Sequence, residues 1–479
     1  MKPPREKWRK SFSEWFHDVL FRAEIYDYRY PIKGTGVWMP YGFKIRRKLL
    51  EIVREKLDST GHHEVLFPLL IPEDMLSREG EHIKSFEREV YWVTRGGEEE
   101  LGVKLALRPT SETAIYPMFN LWIQSYTDLP VKIYQVVSVF RYETKATKPM
   151  IRVREVTTFK EAHTAHATAE EAEEQVREAV QIYKEFFDAM KIPYVISVRP
   201  NWDKFPGAEY SVAFDTVMPD GRTLQIGTVH NLGQKFAKAF DIKYMDRNGE
   251  FSYVWQTCYG ISERVIAALL SIHGDDHGLV LPSEIAPIQV VVVPIPYKGR
   301  DDEILAESRR IYQELASAGL RVIIDERKEI TPGSKFYDWE LRGVPLRVEI
   351  GPRDVDKGTA TLVRRDNLER ATCGKEEVVE EVRQLLRRID EALSERAWSW
   401  LREMTSKAYD VGEAKRIIKE QGGIVEIPWC GKAKCGMELS ELVDADLLGT
   451  PWDEEVEVDG SCVVCGAKAS TIARAARAY

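Results

Sequence analysis

The fold is decided by Val131–Glu143, VKIYQVVSVFRYE, answered eight residues later by Arg152–His166, RVREVTTFKEAHTAH. Both runs are rich in β-branched and aromatic residues, so both read as strands whose side chains alternate between faces. In the first run the alternation predicts Gln135, Val137, Val139, Arg141 and Glu143 on one face; in the second, Phe159, Glu161 and His163 share a face. Burying an Arg on a strand is costly unless an anion meets it, and a planar guanidinium suits bidentate phosphate or carboxylate. A surface pair of Arg141 with Glu143 would use the same residues. The ring, carboxylate and imidazole of the second run would wall a small pocket for an amine-bearing apolar ligand, with Glu161 as counter-ion.

Working outward, Ser211–Met218 and Arg222–Val229 flank Pro219, Asp220 and Gly221, and the Asp-Gly pair predicts an antiparallel hairpin. Thr168 followed by Glu171 is a capping box, opening a helix whose apolar face carries Val176, Ala179, Tyr183, Phe186, Phe187 and Met190. From Ile288 the pattern changes to a strand at Val290–Val293, an amphipathic helix at Asp302–Ala318 and a second strand at Arg321–Ile324, which predicts an α/β domain. A charged helical stretch, Glu376–Ser394, leads into the last segment. With neither internal repeats nor a Gly/Ser linker, the boundaries are read from these changes of pattern, giving domains at 1–283, 284–390 and 391–479.

A chain of 479 residues has the length of about three domains, and 44% hydrophobic with 30% charged residues excludes the disordered class. The net charge of −9 requires any nucleic-acid partner to be held by local basic surface. Met1–Asp18 mixes Lys, Arg, Glu and Trp without an apolar core, so neither a signal peptide nor a membrane anchor is expected, and a cytoplasmic location is the default. Four of the six cysteines crowd near the end as C-x4-C, 26 residues, C-x2-C, at Cys430, Cys435, Cys462 and Cys465. Four thiols in two close pairs predict a closed tetrahedral zinc site; a redox pair at Cys462 and Cys465 would use only half of the set.

FRYE followed by REVTTFKEAHTAH resembles the second signature motif of class II aminoacyl-tRNA synthetases in their prolyl form. Leu107–Thr113, LRPTSET, resembles the loop that holds the amino acid's ammonium in that family, with Thr110 and Glu112 on the motif. Gly34–Pro68 resembles the first motif, which pairs subunits, and so implies a homodimer. Gly260–Arg264, GISER, resembles the third, in which an early helical Arg lies against the ATP triphosphate. An ordinary helix start reads the same way, but Ser262 as a cap with Arg264 in the first turn suits an anion. Leu224–Gly233, LQIGTVHNLG, resembles the segment that supplies Gln225, Thr228 and His230 to ATP, metal and proline. Strict alternation sets Gln225 on the opposite face from Thr228 and His230, and a bulge at Gly227 would reconcile them. A satisfied core histidine is the plain alternative for His230.

The resemblance, to prolyl-tRNA synthetases of the archaeal and eukaryote-like form, implies a fold class. It comprises an α+β catalytic domain on an antiparallel sheet, an α/β anticodon-binding domain, and a C-terminal zinc-binding α/β domain. It implies activation of proline by ATP and transfer to tRNA(Pro), by positioning and charge stabilisation. Arg141 and Arg264, with Mg²⁺, are the implied catalytic groups. Thr110, Glu112, Arg141, Phe159, Glu161, His163 and His230 would hold proline; Arg141, Glu143, Arg152, Gln225, Thr228, Ser262 and Arg264 would hold ATP and Mg²⁺.

Gly333–Asp366 resembles the shared anticodon-binding domain and supplies Lys335, Arg342, Arg347, Arg353, Lys357, Arg364 and Arg365, with Glu340, Arg347 and Arg353 as base readers. The loop Thr144–Ile151 carries Lys145 and Lys148, within reach of an acceptor stem or plainly solvated. In relatives the terminal carboxylate, here that of Tyr479, tucks toward the active site; a frayed polar tail is the usual fate of chain ends. The interval between the second and third motifs, about 120 residues, is too short for a large editing insertion, so some activation of alanine or cysteine is expected. The alternatives are another class II synthetase (threonyl, glycyl or histidyl) or a non-catalytic tRNA-binding paralogue.

Overall fold

In the computed structural model, which describes residues 3–78, 88–452 and 458–479, the two deciding runs are neighbours in one sheet. Met1 and Lys2 of the N-terminal stretch lie outside the described residues. Val131–Phe140 pairs antiparallel with Glu155–His166, setting Gln135 opposite Glu161 and Ile133 opposite His163, with the register slipping between Val137 and Val139. The first strand ends at Phe140, so Arg141 and Glu143 do not continue its alternation. Backbone N–H groups of Phe140 and Tyr142 donate to Arg108 and Glu89 carbonyls instead, turning the chain at the point where the arginine emerges.

Around this pair the described residues form an eleven-stranded sheet. Trp255–Ile261, Thr223–Gly233, Tyr210–Val217 and Val195–Val198 follow on one side and His63–Glu64 on the other. The helix Ala169–Ala189 covers the sheet with Val176, Ala179, Tyr183, Phe186 and Phe187, all buried. Thr168 caps it, accepting from Glu171 N at 3.2 Å, while the Glu171 carboxylate reaches Ala167 N at 2.9 Å, one residue before the expected partner. The hairpin forms as Tyr210–Val217 and Thr223–Gly233, with Asp215 opposite Gln225 and Phe214 opposite Gly227. The extra residue is thus Ile226, next to the expected bulge, and it flips Gln225 onto the face of Thr228.

The second sheet, in the order Val322–Ile324, Val290–Pro294, Leu346–Ile350, Thr359–Arg364 and Arg370–Gly374, is parallel across its first three strands and antiparallel beyond. Its core is aliphatic, including Val290, Val292, Ile311, Leu346, Val348 and Leu386. Asp275 and Arg365 tie this unit to the core through a doubly bonded, buried pair at 2.6 and 2.7 Å. Removing one partner would strand the other charge, at a cost of about 3–5 kcal/mol. The helix Val378–Glu403 runs on through residue 390, and its Trp400 indole donates to Val217 O at 3.1 Å.

The C-terminal segment adds Thr405–Lys407, Ile424–Trp429, Thr471–Ala476 and Asp446–Pro451 to the eleven-stranded sheet. The seam is short, Thr450 opposite Val198 and Pro451 opposite Ser197. Arg199 reinforces it, donating to Leu448 O at 2.7 Å and to Asp215 at 2.8 Å. No helix among the described residues is long and apolar enough to cross a membrane.

Candidate active site

One face of the sheet opens into a cavity of about 520 Å³, walled by residues from every motif of the core except the first, Gly34–Pro68. At its inner end, Glu112 starts the helix Glu112–Trp122 and accepts from the Thr110 hydroxyl. Glu161 accepts from the Ser111 hydroxyl and from Gln135 Nε2 at 2.8 Å. His163 stands 3.3 Å from Glu161 and 3.0 Å from the Tyr116 hydroxyl. Phe159 lines the same space. Two carboxylates held apart by neutral donors, beside an aromatic wall, make a site for one cationic, partly apolar ligand. His230 completes the wall: its Nδ1 is 2.7 Å from Ser211 Oγ and its ring stacks on Phe205 at 4.7 Å. Burial, opposed by Glu112, pushes its imidazole down to about 4, so it is neutral at physiological pH.

The outer end is cationic. Arg141 Nε donates to Pro109 O at 3.0 Å, and Arg264 Nε to Ile151 O at 2.9 Å. Both guanidiniums are aimed by neutral carbonyls. Burial first, then the neighbouring Arg141 and Arg152, lowers Arg264 to about 10, opposed by Asp215 and Glu143. Arg152 lies 3.8 Å from Glu143, whose other oxygen accepts from Lys145 N at 2.8 Å. Gln225, Thr228 and Ser262 line the same end. Ser262 is not the helix cap that was expected. The helix Arg264–His273 has Glu263 at its N-cap, and Ser262 Oγ accepts only a long bond, 3.4 Å, from Arg264 N. Glu263 instead reaches across to the strand, accepting from Thr157 N at 2.8 Å and Thr158 N at 3.0 Å.

The anticodon-domain candidates separate. Glu340 and Arg347 meet at 2.9 Å, and Arg347 also bonds Glu349 at 3.0 Å, whereas Arg353 is exposed on a short helix apart from that pair. Of the seven cations counted there, Lys335, Arg342, Arg347, Arg364 and Arg365 each face a carboxylate of the fold. The basic stretch is therefore largely neutralised internally, by Glu340, Glu349 and Asp366 of the same stretch and by Asp325, Glu24 and Asp275 from outside it.

Cys430, Cys435, Cys462 and Cys465 offer ligand atoms within 4.8 Å of one another, and Cys465 Sγ is 3.8 Å from Cys430 Sγ. Zinc–sulfur bonds of about 2.3 Å in a tetrahedron require sulfurs about 3.8 Å apart, so the four thiols fit that ion. Tyr479 docks on the hairpin: its N–H donates to Thr223 O at 3.1 Å and its hydroxyl to Asp220. Lys148 donates to the same hydroxyl at 3.1 Å and sits over the Tyr479 and Phe12 rings, so it is packed rather than solvated. Lys145 is exposed.

Several residues that line the pocket or brace its walls were given no role from sequence. Ser111 and Gln135 were visible in the quoted runs and are now seen to orient Glu161. Tyr116, Cys258, Arg199, Phe205 and Ser211 carried no local signal, since each acts through a partner far away in the chain.

Such a sheet, with its cation pocket and facing arginines, defines a class II aminoacyl-tRNA synthetase core. Residues 91–273 match the model of the tRNA synthetase class II core domain (G, H, P, S and T), 289–385 the anticodon binding domain, and 411–479 the prolyl-tRNA synthetase C-terminal domain. The chain is 56% identical over 483 aligned residues to the proline–tRNA ligase of Sulfurisphaera tokodaii and 55% identical to that of Sulfolobus acidocaldarius, covering 100% of each chain. A solved Giardia lamblia prolyl-tRNA synthetase in complex with prolyl-adenylate superposes with a TM-score of 0.96 at 39% identity over 100% of both chains. The chain belongs to the prolyl-tRNA synthetase family.

Proposed function

We infer that this protein activates proline with ATP to prolyl-adenylate and transfers the prolyl group to the terminal ribose of tRNA(Pro). The observation that supports this reading most directly is the polarity of a single cavity: paired carboxylates at its inner end, carbonyl-aimed guanidiniums at its outer end. Proline presents a secondary ammonium and a carboxylate at opposite ends, and its carboxylate must meet an α-phosphate.

In this reading Glu112 and Glu161 face the ammonium, Thr110, His163 and the neutral His230 shape the pocket, and Phe159 packs on the ring. Arg141 bridges the reacting carboxylate and the α-phosphate, and Arg264 lies against the triphosphate at the start of its helix, where unpaired backbone N–H groups favour anions. Gln225, Thr228, Arg152 and Glu143 face adenosine, ribose and phosphates, with Ser262 beside Arg264. The chain contributes little covalent chemistry; it orients two anions and stabilises the charge that develops between them. Mg²⁺ bound to ATP would screen the phosphates, with the Glu143 carboxylate at the cavity's lip as an oxygen donor suited to it.

The cysteine quartet would hold a structural Zn²⁺. The closed set leaves no position for substrate, and the metal would clamp the Cys430 and Cys462 segments beside the strand Ile424–Trp429. We take 1–283, 284–390 and 391–479 as the catalytic, anticodon-binding and zinc-binding domains, the three matched spans falling within these limits. Glu340, Arg347 and Arg353 would meet the anticodon. The exposed Leu66, Leu69 and Leu70 next to the first motif suit a homodimer interface, and cytoplasmic location follows from the substrate. A pocket sized for proline discriminates weakly against alanine and cysteine.

Proline-dependent ATP–pyrophosphate exchange is the test, with wild type beside Arg141→Ala and with alanine and threonine as comparison substrates. Exchange with proline that vanishes in the variant is expected. Exchange strongest with threonine would assign another class II activity, and tRNA binding without exchange would assign a non-catalytic role.

A further inference from the structure

Beside Glu112 and His163, the inner wall of the cavity carries a thiol that neither ammonium binding nor adenylate formation calls for. Cys258, on Trp255–Ile261, stands directly opposite His163 in the sheet register, and Glu112 comes from the adjoining helix start. One sulfur, one imidazole nitrogen and one carboxylate oxygen from these three lie within 4.8 Å of one another, and all three residues are buried. The thiol donates to Glu112 Oε1 at 4.0 Å.

Two of the three are already braced from outside, as metal ligands usually are. The Thr110 hydroxyl holds Glu112 Oε2, and the Tyr116 hydroxyl meets His163 Nδ1 at 3.0 Å. Of the two His163 tautomers, one donates Nε2–H to Glu161 at 3.3 Å; the other donates Nδ1–H to the Tyr116 hydroxyl and frees the Nε2 lone pair, and it is the second that a cation would select. Sulfur, nitrogen and oxygen together are the ligand types of zinc, and three protein ligands with the fourth direction open to the cavity make an exchangeable site rather than a closed structural one.

We propose that Cys258, His163 and Glu112 form a site for a zinc-like divalent cation inside the amino-acid pocket, and that this cation and proline exclude one another. The inference rests on Glu112 being a counter-ion of proline's ammonium. Binding replaces the thiol proton: Cys258–SH and M²⁺ give a metal–sulfur bond and release H⁺ to solvent. The ion then occupies the space of the ammonium and takes up the carboxylate that would hold it. Free zinc therefore acts as an inhibitor whose effect proline relieves, and the two cysteine sites of the chain differ in kind: one keeps its metal, the other trades it for substrate.

The experiment uses full-length protein carrying one equivalent of zinc in its C-terminal cluster. Further Zn²⁺ is titrated calorimetrically with and without saturating proline, and Co²⁺ absorption reports thiolate ligation. Expected are one further site per chain, a thiolate-to-cobalt band that proline abolishes, and binding weakened at least about tenfold in Cys258→Ser, the scale at which lost metal-site partners are felt. In pyrophosphate exchange with Mg–ATP in excess, zinc should raise the KM for proline and leave kcat unchanged. A missing second equivalent, one that proline does not displace, or one that Cys258→Ser binds as tightly overturns the proposal; the wild-type cobalt and proline measurements stand even if the variant does not fold. Failure of the functional reading would show separately, as no proline-dependent exchange with Mg–ATP in zinc-free buffer.

Discussion

Two groups of arginines in this chain look alike on paper and are used in opposite ways. In the core, Arg264 is steered through Nε by the carbonyl of Ile151, and Arg141 by that of Pro109 with Glu89, Glu112 and Glu161 near it. In the anticodon-type domain, Arg347 is forked between Glu340 and Glu349, Arg364 grips Asp366 and Arg365 grips Asp275. A carbonyl aims a guanidinium without cancelling its charge, whereas a carboxylate aims it and cancels it. The core thus presents positive charge to an anionic ligand, and the second domain presents shaped, nearly neutral hydrogen-bonding edges, which suit bases better than phosphates.

The hardest test of that contrast is Arg264→Ala. Losing an un-neutralised cation at the triphosphate end should lower kcat for pyrophosphate exchange about 100- to 1,000-fold with little change in melting temperature, the scale of losing one preorganised charge stabiliser. A loss of fold with no change in specific activity of the surviving protein would break the comparison.

Arg347→Ala should do the reverse. It leaves Glu340 with His277 and Glu349 with the more exposed Arg370, so thermal unfolding should report up to about 3 kcal/mol of lost stability. Aminoacylation of tRNA should fall while proline-dependent exchange stays near wild type.

Glu263 sharpens the contrast from the side of a carboxylate. It accepts three bonds from Thr157 and Thr158 through one oxygen, and its other oxygen is buried with no partner. Burial, opposed by those bonds, raises its carboxyl from 4.5 to about 7. A raised folded pKa means that the group's contribution is full below pH 4.5 and is lost as pH rises through about 7. Denaturant titrations of wild type against Glu263→Gln should therefore converge at low pH, and wild type should lose up to about 3 kcal/mol relative to the amide by pH 8. A constant difference across that window would show that the carboxyl is not the titrating group.

The smallest effect belongs to Arg353, which is exposed and joins none of the ion pairs among the described residues. If it meets a phosphate, Arg353→Ala should weaken tRNA binding a few-fold and reduce the salt slope of log Kd by about 1. An unchanged slope with altered anticodon preference would make it a base reader.

Much of the core was legible because its deciding runs are local: alternation set Phe159, Glu161 and His163 on one face, and all three line the cavity. The hairpin was legible from Asp-Gly, and its bulge from the need to bring Gln225 beside Thr228, although the extra residue is Ile226 rather than Gly227. Arg141 was placed on a strand that stops one residue short of it, because backbone donors there find carbonyls at Arg108 and Glu89 that no local pattern reveals. Ser262 was given a cap that Glu263 occupies, since the helix starts later than its Gly-Ile-Ser lead suggests.

By itself, then, the amino-acid order determined the strands, the helices, the four-cysteine set and the candidate residues, for each of these follows from spacing along one segment. Which charges stand open and which are cancelled, the joining of the C-terminal strands onto the core sheet at Val198 and Thr450, and the meeting of Cys258 with His163 and Glu112 were settled by tertiary packing. Electrostatic work depends on distances of a few ångströms between groups tens to hundreds of residues apart, and periodicity within a segment carries no information about those distances.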